Sequence, residues 1–353
     1  MRLLICTQVI DKTDSSLGFF QKWVSSMSPK FESITVIALK VGVYTLPGNV
    51  QVHSLGKESS TGKGRIANRA RYVLRFYRFA WGMRKEYDAV FVHMNQEYVL
   101  LGGLMWKLLR KKIYMWRNHY KGNVVTDIAA TFCYKVFCTS MFSYTAKYKK
   151  TVLMPVGVDE DSRRMEEPVE RTPRSILFLG RLDASKRPDV LIDALGILAG
   201  KGIAFSASFV GGASKTDSSY PDQLRTQVNR LGIDDKVKFI GAVPNTETFR
   251  YYRSHVIFVN CSKSGMFDKT IFKAVACGCL VLVTSRDFAN LVGPDFIFPD
   301  GDSNALAELL TYFLAIDLAE RSRLINRLMD CMKCHSLPVL VNRLAEEIIM
   351  PHR

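Results

Sequence analysis

Apolar and polar residues follow two successive patterns along the chain. Short, nearly continuous apolar runs at Leu3–Cys6, Ile34–Leu39, Ala89–His93, Ile113–Trp116, Val136–Cys138 and Val152–Met154 read as strands buried on both faces. Between them a helical period appears at Ser15–Met27, Arg65–Lys85 and Tyr98–Arg110. The polar stretch Asp159–Arg174 interrupts the pattern with dense charge and two prolines, the composition of a linker. A second series follows, with strands at Ile176–Gly180, Ala204–Val210, Val237–Ile240, Val256–Val259 and Leu280–Val283. Its helices are expected at Arg187–Ala199, Pro221–Leu231, Lys269–Ala276, Asn304–Phe313, Ala319–Cys331 and Leu337–Ile349.

Strand–helix alternation predicts parallel sheets with helices on both faces. The expected fold is therefore α/β, with two doubly wound Rossmann-like domains facing a central cleft. Ligands should bind at strand carboxyl ends. The boundaries read as 1–158 for the first domain, 159–174 for the linker, 175–335 for the second, and 336–353 for a terminal helix returning to the first.

Composition narrows the class. The chain has 353 residues, 48% hydrophobic and 23% charged, which excludes a disordered polymer and suggests two domains. No apolar run approaches the ~18–20 residues of a membrane span. The longest, Tyr98–Leu109, is broken by two glycines and Lys107. The opening residues lack a secretory signal, so a cytoplasmic location is expected, extending to a peripheral one on the inner membrane face. The eight cysteines sit mostly in apolar surroundings and read as reduced. Cys331-Met-Lys-Cys334-His335 has the spelling of a haem attachment string, but late in a helical pattern it reads as structural.

Charge is unevenly placed. The net charge is +16, and residues 1–158 hold 24 Lys and Arg against 8 Asp and Glu, while the remainder holds 25 of each. Eight cations and no acid lie in Lys63–Lys85, interleaved with Tyr72, Phe76, Tyr77, Phe79 and Trp81. Arg71, Arg75 and Arg78 share one helical face, and Ile66, Ala70, Val73 and Tyr77 are expected to pack on the sheet. Such a helix suits an anionic membrane surface, with a solvated basic face as the plain alternative. No nucleic-acid module is evident, so no nucleic-acid partner is expected.

Two stretches carry candidate chemistry. In LFLGRLDASKRPDVLIDAL, a strand ends at Gly180, and Arg181 and Lys186 follow on the turn into a helix. Cations beside a helix N-terminus suit a diphosphate, although a solvated basic turn has the same spelling. In VNCSKSGMFDKTIFKAVACGCLVLVTS, a loop with Ser262, Ser264 and Gly265 precedes a helix that Asp268 can cap. An anion or sugar would fit there, and so would ordinary capping. Asp300-Gly-Asp302 has the form of a metal-binding pair, but Asp302 precedes a helix as an N-cap would, so no metal site is assigned.

Together with FVGG (Phe209–Gly212), VKFIGAVP (Val237–Pro244), PDGDSNALAELL (Pro299–Leu310), PVGVD (Pro155–Asp159) and HSLPVLVNRL (His335–Leu344), these segments make the chain resemble the retaining glycosyltransferases of family 4, of GT-B architecture and bacterial branch. The resemblance implies a metal-independent transferase moving a hexose from a UDP- or GDP-linked sugar to a lipid-linked or cell-envelope glycan acceptor. It implies no cofactor beyond that donor. Arg181 and Lys186 match the pair that neutralises the departing diphosphate, and Gly241 and Ala242 match the loop meeting the base. Ser264, Gly265, Asp268, Lys269 and Lys273 fall on the donor segment. Gly265 and Lys273 stand where the family usually carries two glutamates, and an ammonium cannot accept hydrogen bonds from a ribose diol. Gly18 matches a loop near the donor phosphates, and His119 a histidine facing the transferred sugar. His93 and Asn95, at a neighbouring strand end, are expected on the acceptor side. Two rival readings stand: a non-catalytic GT-B relative that binds nucleotide or membrane, and a GT-B nucleotide-sugar epimerase.

Overall fold

The structure is a computed structural model describing residues 1–14, 17–59, 64–158, 169–213, 217–244, 247–265 and 268–350. Ser15, Lys63 and most of the expected linker lie outside the described residues. The chain divides into two compact units, Met1–Gly157 with the segment from Leu337 onward, and Val158–Ser336.

The first unit is built on a parallel sheet of β1 (Arg2–Ile10), β2 (Ser33–Val41), β3 (Val50–Ser54), β4 (Ala89–His93), β5 (Lys112–Trp116), β6 (Lys135–Cys138) and β7 (Thr151–Leu153). Their order is β3-β2-β1-β4-β5-β6-β7, so the direction of winding reverses between β1 and β4. Strand β4 is buried throughout and β5 from Ile113 onward, which explains their unbroken apolar sequence. On one face lies α1 (Phe20–Met27), packed by Phe20, Trp23 and Val24 against a helix from the other end of the chain, α12 (Leu337–Ile349). Leu340, Leu344 and Ile348 supply its buried stripe. An ion pair of 2.5 Å between Lys135 and Glu347 fixes α12 at β6, and Gly157 leaves room for Leu340, which a Cβ there would meet at 2.2 Å.

The opposite face carries α2 (Arg65–Gly82), α3 (Glu97–Leu108) and α4 (Val124–Phe132). Trp106 on α3 donates to the Tyr87 hydroxyl at 3.0 Å, and that hydroxyl donates to the Ala80 carbonyl on α2. An Asn123–Thr126 capping box starts α4. The expected buried face of α2 is corrected here. Phe76 and Ala80 enter the core, with Tyr72, Phe79 and Met83 alongside, whereas Ile66, Ala70 and Tyr77 are exposed. Aromatic residues surround this helix, so periodicity alone gives more than one apolar stripe. The sheet selects the stripe that fills its groove.

The second unit has a parallel sheet of β8 (Ser175–Leu179), β9 (Ser206–Val210), β10 (Val237–Gly241), β11 (Ile257–Asn260) and β12 (Leu280–Val283), in the order β10-β9-β8-β11-β12. Its helices are α5 (Pro188–Gly200), α6 (Tyr220–Arg230), α7 (Thr248–Ser254), α8 (Lys269–Ala276), α9 (Arg286–Val292), α10 (Ser303–Ala315) and α11 (Leu318–Met332). Both units are therefore doubly wound α/β domains. Asp302 caps α10 by accepting from the Ala305 amide at 2.9 Å, as its sequence position indicated. None of the eight cysteines forms a disulfide. Among the described residues no helix is long and apolar enough to cross a membrane.

His335, between α11 and α12, lies 5.1 Å from the Phe272 ring, and burial pushes its imidazole down to about 4. An unfolded histidine titrates near 6.5. As pH falls below that value the unfolded chain takes up a proton that folded His335 refuses, so stability drops by about 3 kcal/mol between pH 6.5 and 4. Burial also lowers His119 and His255, which act in the same direction. His335→Gln is expected to flatten, without abolishing, the fall in denaturation midpoint between pH 7.5 and 4.5; an unchanged slope would remove His335 from the account.

Candidate functional site

In a doubly wound sheet, helices leave for opposite faces where the strand order reverses, and a crevice opens at the carboxyl ends of the two strands concerned. In the second unit that point lies between β8 and β11. The turn after β8 is tightly specified. Gly180 donates to the Val210 carbonyl and Leu182 to the Gly212 carbonyl, extending the pairing beyond the strands. Gly211 must lack a side chain, because a Cβ there would sit 1.7 Å from the Gly180 oxygen. Asp183, buried, accepts from the Ser185 amide and hydroxyl, and Lys186 donates its amide to the Asp183 carbonyl. This turn presents Arg181 outward, with 60% of its side chain exposed and Asp183 at 3.3 Å.

Lys186 turns inward. Its ammonium lies 2.5 Å from Asp268, with both side chains largely buried. Asp268 is the N-cap of α8 and also accepts from the Thr270 amide at 3.1 Å. Asn260, closing β11, donates to Asp268 at 3.3 Å and to the Thr270 hydroxyl at 3.1 Å, while its own carbonyl oxygen holds the Ser262 amide. Burial alone would raise the Asp268 carboxyl, but the attraction of Lys186 and the donated hydrogen bonds hold it far below the usual carboxylate range. It is ionised at any working pH. The pair joins the β8–α5 turn to the β11–α8 loop.

The rest of that loop is secured from β12. Thr284 donates to the Ser262 carbonyl at 2.6 Å, the Arg286 amide to the Ser264 hydroxyl at 2.9 Å, and the Gly265 amide to the Asp287 carboxylate at 3.4 Å. Gly265 has φ +98°, a conformation that suits glycine. Lys269 opens α8. Lys273 lies one turn further on, with its ammonium 5.2 Å from the Phe249 ring centroid. Gly241, with φ +87°, accepts from the Gly211 amide at the end of β10, and Ala242 follows it, exposed. The structure thus gathers Arg181, Lys186, Ser264, Gly265, Asp268 and Lys269 around one reversal point, with Gly241 and Ala242 beyond β9. The sequence did not single out Asn260 or Asp287; a polar residue ending an apolar strand was the available signal for Asn260. Asp300 is held by Arg187 and Lys263, each at 3.6 Å. Among the described residues no cluster of three or more metal-ligating side chains occurs.

The first unit holds the remaining candidates near its own reversal, between β1 and β4. Gly18 donates to the Asp14 carbonyl, and a Cβ there would lie 2.6 Å from that oxygen, so the loop after β1 requires glycine. His119, beyond β5, accepts the Lys121 amide at Nδ1 at 2.8 Å and stacks on Tyr120. Burial and then the nearby Arg117 lower its pKa, leaving a neutral ring with its proton on Nε2. Asn95 accepts from the Glu97 amide at 3.4 Å. The acceptor-side expectation for His93 is corrected. His93 is only 1% exposed, stacks on Phe20 at 3.8 Å and lies 3.3 Å from the Thr7 hydroxyl. Its strand-end position suggested access, but Phe20 and Trp23, distant in sequence, enclose it.

A charge this deeply placed is costly once its partner goes. Lys186→Met is expected to destabilise the protein by about 3–5 kcal/mol, the cost of stranding a buried carboxylate. Adding Asp268→Asn should restore much of that loss. Equal melting of Lys186→Met and wild type in a thermal denaturation series would show the pair to be solvated instead.

Residues 173–315 match the family described as Glycosyl transferases group 1. The chain is 29% identical over 201 residues to a D-inositol 3-phosphate glycosyltransferase of Acidothermus cellulolyticus, covering 53% of this chain and 42% of that protein. It spans about two-fifths of the length of the curated relatives it matches. Among solved structures, Anabaena HepE in complex with UDP and glucose superposes with a TM-score of 0.76 at 18% identity, covering 99% of both chains. WaaG, described as a glycosyltransferase involved in lipopolysaccharide biosynthesis, superposes with a TM-score of 0.68 at 14% identity, covering 99% of this chain and 100% of that one. The chain therefore has the GT-B fold, and its residues 173–315 are similar to the glycosyl transferases group 1 family.

Proposed function

We propose that the protein is a retaining, metal-independent glycosyltransferase that moves a hexose from a nucleotide diphosphate sugar to a lipid-linked or cell-envelope glycan acceptor. The observation that carries this reading is the pairing of an outward Arg181 with an inward, anchored Lys186 at the β8–β11 reversal, inside the segment that matches the family. In the proposed step, the bond from the sugar's anomeric carbon to the β-phosphate oxygen breaks as the acceptor oxygen bonds to that carbon. The acceptor proton passes to the departing phosphate. Charge growing on that phosphate is what preorganised cations stabilise. Arg181 and Lys186 are assigned to this task, with Ser264, Asp268 and Lys269 beside them. The Nε2–H of His119 is assigned to a sugar hydroxyl, and Gly18 to the phosphates.

The UDP complexes of Anabaena HepE favour UDP as the first nucleotide to test. The excess positive charge of residues 1–158 favours an anionic acceptor reached at a membrane surface through Lys63–Lys85 on the cytoplasmic side. Lys273 in place of a glutamate gives weight to one rival, a relative that binds nucleotide without turning it over.

Calorimetry with UDP, GDP and ADP should find one nucleotide bound. Arg181→Ala should weaken that binding about 10- to 100-fold, the range of a charge-assisted contact. Its melting temperature should not change, because the side chain is exposed. Excess chelator should leave both binding and turnover intact. Proton NMR of the product should show the anomeric configuration of the donor. Binding without release of nucleoside diphosphate in the presence of acceptor would favour the non-catalytic reading, and an inverted product would overturn the retaining one.

A further inference from the structure

The outer layer of the first unit has a composition that folding alone does not explain. Three helices, α2, α3 and α4, lie side by side over one face of the sheet. The Tyr77 hydroxyl donates to the Leu101 carbonyl at 2.7 Å, joining α2 to α3. Lys107 donates to the Thr131 carbonyl at 3.3 Å, joining α3 to α4. The inner surface of the layer fills the core. Its outer surface exposes large apolar side chains: Leu74 at 70% and Trp81 at 51% on α2, and Leu104 at 63% and Leu108 at 77% on α3. Leu74 and Trp81 are seven residues apart and Leu104 and Leu108 four apart, so each pair lies along one helical line.

Cations border these lines. Arg71 and Arg78 flank Leu74 on α2, and Lys107 and Arg110 flank Leu108. Among the described residues, Arg71 and Arg78 form no ion pair with a carboxylate; Arg71 donates to the Asn68 side chain at 3.2 Å and lies 5.8 Å from the Tyr72 ring centroid. Of the residues of α2 expected to pack inward, Ile66, Ala70 and Tyr77 instead add to its exposed surface. A nucleic acid would engage the arginines but gain nothing from exposed leucines. The headgroup boundary of an anionic bilayer accepts both, with apolar side chains below the headgroups and guanidinium groups among the phosphates.

The geometry points to the outer face of α2 and α3, with α4 at its margin, as a docking platform that inserts Leu74, Trp81, Leu104 and Leu108 into an anionic bilayer. This deepens the membrane element of the proposed function and is independent of the transfer chemistry. The attachment is apolar as well as electrostatic, and it should survive salt that would release a purely charged contact.

The protein supplies its own reporter. Of its four tryptophans, Trp23, Trp106 and Trp116 are buried, and Trp81 is exposed. Vesicles of phosphatidylcholine with 30% phosphatidylglycerol, added to the full chain, should shift tryptophan emission to the blue. Brominated acyl chains in the same vesicles should quench it. Trp81→Phe should abolish both signals while retaining sedimentation with vesicles. Leu74→Ser and Leu108→Ser should each weaken partitioning about tenfold. Arg71→Glu with Arg78→Glu should weaken it on anionic vesicles and leave the negligible binding to pure phosphatidylcholine unchanged. Three results would overturn the proposal: no sedimentation with anionic vesicles, complete release by 0.5 M NaCl without bromolipid quenching, or a blue shift that follows protein concentration without lipid. The last would assign the face to a second copy of the chain. None of these readouts involves nucleotide or transfer, so a failed transferase assay leaves the test intact.

Discussion

The contact between Lys186 and Asp268 organises the carboxyl edge of the second unit's sheet. A parallel sheet delivers its strands to one edge but does not determine how the following loops sit beside each other. The buried ion pair does so for the two loops at the strand reversal, and Asn260 and the Thr270 amide complete its hydrogen bonding. Asp268 serves both as helix cap and as counter-ion, so the start of α8 and the end of the β8–α5 turn share one anchor. The β12 loop supports the same segment through Thr284, Arg286 and Asp287. A site held in this way keeps its donors and cations in place before any ligand arrives, which is the condition for preorganised electrostatics.

The two units divide the electrostatic work. In the second, cations near the site are matched by carboxylates: Lys186 by Asp268, Arg181 by Asp183, Arg187 by Asp189 and Asp300. Matching of this kind limits the field to a small region. In the first unit Arg69, Arg71 and Arg78 of α2 are exposed, and their charge projects outward. One arrangement suits a small anion at a fixed place, the other an extended anionic surface.

Much of this was legible in the amino-acid pattern because parallel strands buried on both faces are continuous apolar runs. The strands β1, β4, β5, β8, β11 and β12 follow directly from that rule, and the cap at Asp302 from its place just before a helical pattern. Edge strand β3, VQVHS, is mixed in polarity and only partly buried, so its sequence resembles a loop. In α4, VVTDIAATF, β-branched residues hide the helix, which the Asn123 capping box establishes instead. His93 could not be placed because its surroundings come from α1, far away in sequence. The bonds from Asp287 and Thr284 to the Gly265 loop belong to the same class of long-range contact that no local pattern encodes.

Gly157 and α12, which packs against it, carry a consequence for how the chain is made. The first unit's core is completed by Leu340, Leu344 and Ile348, yet those residues are translated only after the whole second unit. During synthesis the apolar stripe of α1 must wait, uncovered, while about 180 further residues emerge, a delay of roughly 10–40 s at ordinary ribosomal rates. Throughout that interval the second unit is free to fold, but the first has an open seam beside Trp23. Until α12 is made, the apolar stripe of α1 stays open to any other apolar surface it meets.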